Sequence, residues 1–109
     1  MRIALVVQHD TPTGELIAQL LQGHGYETAV ASTYAQAVAL FEAIDPRLVV
    51  IDPVLSDGDG LELVRSARAS ARVVMTSAFP SGVERAAADL GVPLVVKPFE
   101  TDELMAHVG

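Results

Sequence analysis

The stretch LVVIDPVLSDGDG, Leu48 to Gly60, decides the fold. It opens with four apolar residues, of which Val49, Val50 and Ile51 are β-branched. A short continuous run of this kind marks a strand buried on both faces. The run ends directly on Asp52, a charge that would be costly there unless the position is an exposed strand end. Ser56-Asp57-Gly58-Asp59-Gly60 then reads as a turn by composition.

The same alternation extends in both directions. Ile3 to Val7 is a second continuous apolar run, hence a first strand. Thr11 reads as an N-cap with Pro12 at the first helical position. Leu16, Ile17, Leu20 and Leu21 form the apolar stripe of that helix, and Gly23 and Gly25 end it. Tyr26 to Val30 is a less continuous strand, as expected at a sheet edge. Ser32 or Thr33 caps the next helix. Ala37, Val38, Leu40, Phe41 and Ile44 supply its buried side, and Pro46 closes it.

Beyond Gly60, Leu61, Val64 and Ala67 mark a third helix, and Arg72 to Met75 a fourth strand followed by Thr76 and Ser77. A short helix is expected from Ser81 to Leu90, with Gly91 at its end. Val92 to Val96 is a fifth strand, with Pro93 tolerated near its beginning or at an edge. Lys97-Pro98-Phe99 breaks it, and Glu100 or Thr101 opens a last helix through Val108. Apolar strands alternating with helices argue for a parallel sheet covered on both faces, and five βα units leave it open rather than closed into a barrel. The whole, residues 1–109, reads as one domain. The abrupt stop at Gly109 is compatible with a domain cut from a longer protein.

Composition narrows the function. Seven basic residues against fourteen acidic ones give a formal net charge of −7. With no basic stripe, direct binding to nucleic acid is not expected. The absence of cysteine excludes disulfides and thiolate chemistry and fits a cytoplasmic location. No apolar stretch approaches a membrane span, and the opening MRIALVVQHD turns polar too soon for a signal peptide.

Open α/β sheets place their sites beyond the C-terminal ends of the strands. Gln8, His9 and Asp10 follow the first strand, Asp52 and Asp57 the third, Thr76 and Ser77 the fourth, and Lys97 the fifth. Lys97 is the only lysine in a chain that otherwise uses arginine. A flexible ammonium at a strand end can reach a carboxylate or a phosphoryl oxygen. Nucleotide-binding versions of this architecture lose support, because QHDTPTG is neither GxGxxG nor GxxxxGK[ST]. A Ser77-His9-Asp52 triad lacks the GxSxG elbow, so a small hydrolase or nucleotide-binding domain is only a remote alternative.

These residues resemble the receiver domain of two-component response regulators. The resemblance covers essentially the whole chain and rests on RIALVVQHDTPTGELIAQLL, LVVIDPVLSDGDGLELV, VVMTSAF and VVKPF. Its most specific parts are Asp52 followed by Asp59-Gly60, and the Lys97-Pro98-Phe99 ending. It implies an open, doubly wound five-stranded parallel sheet in the order 2-1-3-4-5, flavodoxin-like, in three αβα layers. It implies Asp52 as phosphoacceptor, Lys97 as the phosphoryl-binding cation joined to Pro98 by a cis bond, and Ser77 as the hydroxyl switch, with Thr76 the weaker claimant. Phe79 resembles the aromatic switch position, and Val54 would offer a backbone carbonyl to a metal.

The departure lies after the first strand, where the family usually shows an acidic pair and this chain has Gln8 and His9. Asp10 falls one place late. The metal set implied is Asp52, Val54, Asp10 and His9 around Mg²⁺, with binding weakened. Mg²⁺ wants hard oxygen ligands, and neither an amide nor an imidazole replaces a carboxylate well. The resemblance implies a histidine kinase or phosphotransfer protein as partner. It also allows a homodimer through the face formed by the fourth helix, fifth strand and fifth helix. Such a domain supplies catalytic residues for its own aspartyl phosphorylation and dephosphorylation without being a conventional enzyme. The alternative is a pseudo-receiver, an interaction module with weak or no Mg²⁺-dependent phosphorylation.

Overall fold

The computed structural model describes residues 2–108. Five parallel strands, β1 (Ile3–Val7), β2 (Glu27–Ala31), β3 (Leu48–Ile51), β6 (Arg72–Ser77) and β7 (Leu94–Val96), form one sheet in the order β2-β1-β3-β6-β7. This is the 2-1-3-4-5 order expected, with β2 at an edge. A separate antiparallel hairpin, β4 (Val54–Leu55) and β5 (Gly58–Asp59), stands where the sequence reading expected only a turn.

Helices α1 (Thr11–Gln22) and α5 (Thr101–Met105) cover one face, and α2 (Tyr34–Ile44), α3 (Gly60–Ala67) and α4 (Glu84–Leu90) cover the other. The strands divide their side chains between the faces with period two. Ala4, Val6, Leu48, Val50, Val74 and Val95 meet Ile17, Leu21 and Leu104. Leu5, Val7, Val49, Ile51, Val73 and Met75 meet Ala37, Leu63, Val64 and Ala87. Strands buried on both sides have no polar face, which is why these runs read as continuously apolar.

Local differences from the expected elements have physical causes. Asp10, not Thr11, caps α1, because its carboxylate accepts from the Thr13 N–H at 3.1 Å. Leu16 was expected in the apolar stripe but is 54% exposed, while Gly14 and Ala18 take the buried positions. Gly14 is needed there: a Cβ would lie 3.1 Å from Val30 Cγ1 and 3.5 Å from Gln8 Cβ. In α3 the inward residues are Gly60, Leu63, Val64 and Ala67, so Leu61 is only partly covered. The expected 81–90 helix is divided into a 3₁₀ turn (Pro80–Gly82) and α4, the break falling at Val83. β7 begins after Pro93, whose carbonyl still accepts from the Met75 N–H at 2.9 Å. α5 starts from a reciprocal capping box of Glu100 and Glu103 and ends at Met105 rather than Val108.

Candidate functional site

Parallel strands deliver their C-terminal ends to one edge of the sheet. The main-chain ladder continues one residue past the strands. Gln8 N–H donates to Ala31 O (3.0 Å), Asp52 N–H to Val7 O (2.9 Å) and Lys97 N–H to Ser77 O (2.8 Å). Continuing the period-two alternation puts Gln8, Asp52, Thr76 and Lys97 on the α1/α5 side, and Ser77 on the other.

The side chains bear this out. Lys97 Nζ donates to Asp52 Oδ2 at 2.6 Å and to Gln8 Oε1 at 3.1 Å. Gln8 Nε2 donates to Thr76 Oγ1 at 2.9 Å. Gln8 and Thr76 are completely buried, and the Lys97 and Asp52 side chains are only 18% and 12% exposed. Charge-assisted bonds of this length are among the stronger polar contacts in proteins. The other oxygen of Asp52, Oδ1, accepts from the Val54 N–H at 3.0 Å. Val54 is itself exposed and begins the hairpin. The Lys97–Pro98 peptide is cis, as the resemblance implied.

The remaining candidates stand apart from this network. Ser77 is buried, and its Oγ accepts from the Phe79 N–H at 3.0 Å. Phe79 is 82% exposed, so its ring does not pack behind Ser77 in this conformation. His9 is exposed. No Ser77-His9-Asp52 relay forms, because the alternation puts Ser77 and Asp52 on opposite sides of the sheet. Asp10 Oδ2 accepts from both the hydroxyl and the backbone N–H of Thr13, and these bonds, with a smaller contribution from the Lys97 charge, lower its pKa. Asp57, expected at the functional edge, accepts from the Tyr34 N–H (2.7 Å) and the Ala35 N–H (3.1 Å). It therefore satisfies the first turn of α2, and those bonds lower its pKa. Asp59 caps α3 through the Leu61 N–H.

The residue that sequence reasoning undervalued is Gln8, read there only as a missing carboxylate. The alternation through Val6 and Val7 was the available signal for its direction. Lys97 shares an open, mostly apolar groove of about 410 Å³ with Asp10, Thr13, Leu16, Ala78, Pro98 and Phe99. A cleft of similar size at the far end of the sheet is lined by Arg68 and Arg72. Their guanidiniums donate to Leu90 O (2.8 Å) and His107 O (3.5 Å). Arginines that satisfy carbonyls near helix ends have a structural role.

The family pattern described as "Response regulator receiver domain" matches residues 4–109. The chain belongs to the response-regulator receiver family. It is 34% identical to the DNA-binding response regulator MtrA of Mycolicibacterium smegmatis, over 95% of this chain and 47% of the relative. The receiver domain thus spans about half the length of the curated relatives it matches. Among solved structures it is similar to a CheY-like receiver domain protein from Methanospirillum hungatei. That likeness has a TM-score of 0.89 and 25% identity over 99% of this chain and 90% of the other. It is also similar to the receiver domain of NtrX from Brucella abortus, with a TM-score of 0.84 and 29% identity over 96% and 93%.

Membership supports a phosphoacceptor signalling role. No helix among the described residues is long and apolar enough to cross a membrane. The family type implies Mg²⁺-dependent phosphorylation, but the residues of this receiver domain do not fit the ion. Asp52 is the one carboxylate of the network and is already paired with the Lys97 ammonium, Gln8 Oε1 is a neutral oxygen facing that same ammonium, and Asp10 is bonded to Thr13 at the start of α1. The His9 imidazole is a poor partner for a hard cation. Among the described residues, no group of three His, Cys, Asp or Glu side chains could hold a metal.

Proposed function

We propose that this receiver domain accepts a phosphoryl group on Asp52 from a phosphohistidine of a kinase or phosphotransfer protein, and that the modification alters a protein-binding face. The observation that supports this most is the 2.6 Å contact between Lys97 Nζ and Asp52 Oδ2 at the C-terminal edge of the sheet. A carboxylate oxygen attacks phosphorus, the bond from phosphorus to the histidine nitrogen breaks, and the imidazole leaves and takes up a proton. The product is an acyl phosphate on Asp52. Lys97 starts beside the nucleophile and can follow the charge onto a phosphoryl oxygen, the electrostatic contribution that phosphoryl transfer needs most. Val54 N–H holds the second carboxylate oxygen and so orients the group.

The new dianionic group draws Lys97 away from Gln8, and the packing next to it shifts between two populations. Ser77, the last residue of β6, and Phe79, two residues beyond it, are the residues proposed to respond, and Phe79 and Val96, the last residue of β7, are exposed apolar residues. The α4-β7-α5 face is where a homodimer or an effector would dock. A second reading, a constitutive interaction module, is favoured by one observation: Gln8 stands buried in the site and brings no negative charge.

Intact mass after incubation with a small-molecule phosphodonor separates the two. The expected result is a gain of one phosphoryl group that disappears in Asp52→Asn. No gain in the native protein, with or without Mg²⁺ and with a cognate kinase, would leave the interaction module as the function.

A further inference from the structure

We propose that Gln8 makes the acceptor site independent of a divalent cation, its amide organising Lys97 and Thr76 in the metal's stead. The proposal rests on Asp52 as the acceptor, but it concerns how the site is held together before any transfer.

The amide of Gln8 can face only one way. Lys97 is purely a donor, so the carbonyl oxygen must point at Nζ and the NH₂ must point at Thr76 Oγ1. Its stem is fixed too. The Gln8 N–H is bonded to Ala31 O, and α1 lies close over its Cβ because Gly14 has no side chain. With no exposed surface, the side chain has nowhere to swing. The result is a continuous chain of bonds from Val54 N–H through Asp52, Lys97 and Gln8 to Thr76. It joins residues at or just past the C-terminal ends of β1, β3, β6 and β7.

The charge of this chain is balanced. Asp52 contributes one negative charge, Lys97 one positive charge, and Gln8 and Thr76 none. No buried polar side-chain atom among the described residues lacks a partner. An entering divalent cation would have to share an Asp52 oxygen with Lys97 or with Val54 and would stand beside the ammonium, while Asp10, the other carboxylate that feels the Lys97 charge, is held by Thr13 at the start of α1. Buried charges are stable only when paired, so the arrangement disfavours the ion. A carboxylate at position 8 would remove this balance and supply a hard oxygen ligand.

The test is a MgCl₂ titration of the whole chain followed by ¹H–¹⁵N correlation spectra, for the native protein and for Gln8→Asp/His9→Asp. In the native protein, resonances of residues 8, 52–54 and 97 are expected not to move saturably. The double variant is expected to gain saturable binding at least about tenfold tighter, the lower end of the effect of changed metal surroundings. Saturable binding by the native protein within tenfold of the variant would overturn the proposal, and so would binding by neither. Should the double variant not fold, the native Lys97 side-chain ammonium resonance decides alone. It is expected to be the same in Mg²⁺ and in EDTA, and a shift between them refutes the idea. Absence of phosphorylation leaves these outcomes unchanged, so failure of the acceptor reading and failure of this one are distinguishable.

Discussion

Lys97→Met tests the Asp52–Lys97 pair directly. The substitution keeps an unbranched side chain of similar length and removes the cation from a 2.6 Å contact in which the two side chains are 18% and 12% exposed. Removing one partner of a buried ion pair costs about 3–5 kcal/mol, since the other charge is left uncompensated. Slight solvent access at Asp52 puts the expected loss at about 2–3 kcal/mol, below the range for full burial. The molecule carries its own control. Arg65 and Glu62 form a pair of nearly the same length, 2.8 Å, but with side chains 49% and 63% exposed. Arg65→Ala should cost no more than about 0.5 kcal/mol, as exposed i,i+3 pairs do. Urea unfolding followed by far-ultraviolet circular dichroism measures both. In the double variant Asp52→Asn/Lys97→Met, most of the loss should disappear, because no unpaired charge remains. Equal losses for Lys97→Met and Arg65→Ala, or strict additivity in the double variant, would refute the reasoning that burial sets the strength of this contact.

Three other predictions concern different parts of the structure. Gly60→Ala should lower the urea midpoint by an amount corresponding to about 1–3 kcal/mol. Its Cβ would stand 2.6 Å from both Pro53 Cα and Pro53 O, which are main-chain positions that cannot rotate away, next to Asp52. Gly82→Ala, with nothing within 4 Å, should be neutral or mildly stabilising in the same assay. Asp10 and Asp57 have folded-state pKa values below the ordinary 3.8, through bonds from Thr13 and from the Tyr34 and Ala35 N–H groups respectively. A depressed carboxyl pKa contributes stability that is fully present above the unfolded value and lost as pH falls through the folded one. Thermal midpoints should therefore decline as pH drops below 3.8, and the decline should be shallower in Asp10→Ala/Asp57→Ala; parallel profiles would contradict the assignment.

The sequence by itself determined the layered architecture and the main pair of the site. Val49, Val50 and Ile51 admit no exposed face, so a strand ending on Asp52 had to lie inside a covered parallel sheet. Parallel strands then had to bring Asp52 and Lys97 to one edge. What the sequence left open was set by tertiary contacts. Ser56 to Gly60 carry turn residues, yet Val54–Leu55 pair with Gly58–Asp59 because the loop packs on α2, with Gly58 against the Tyr34 ring and Asp57 on the helix N–H groups. Asp57 and Asp10 are acidic residues near the site by position, but each is bonded to a helix start. Gln8 shows the limit most clearly. In the sequence it reads only as an amide where the resemblance leads one to expect a carboxylate, whereas its partners, Lys97 and Thr76, are 89 and 68 residues away. Only the parallel register of four strands turns that buried amide from an omission into the link between the Asp52–Lys97 pair and the fourth strand of the main sheet.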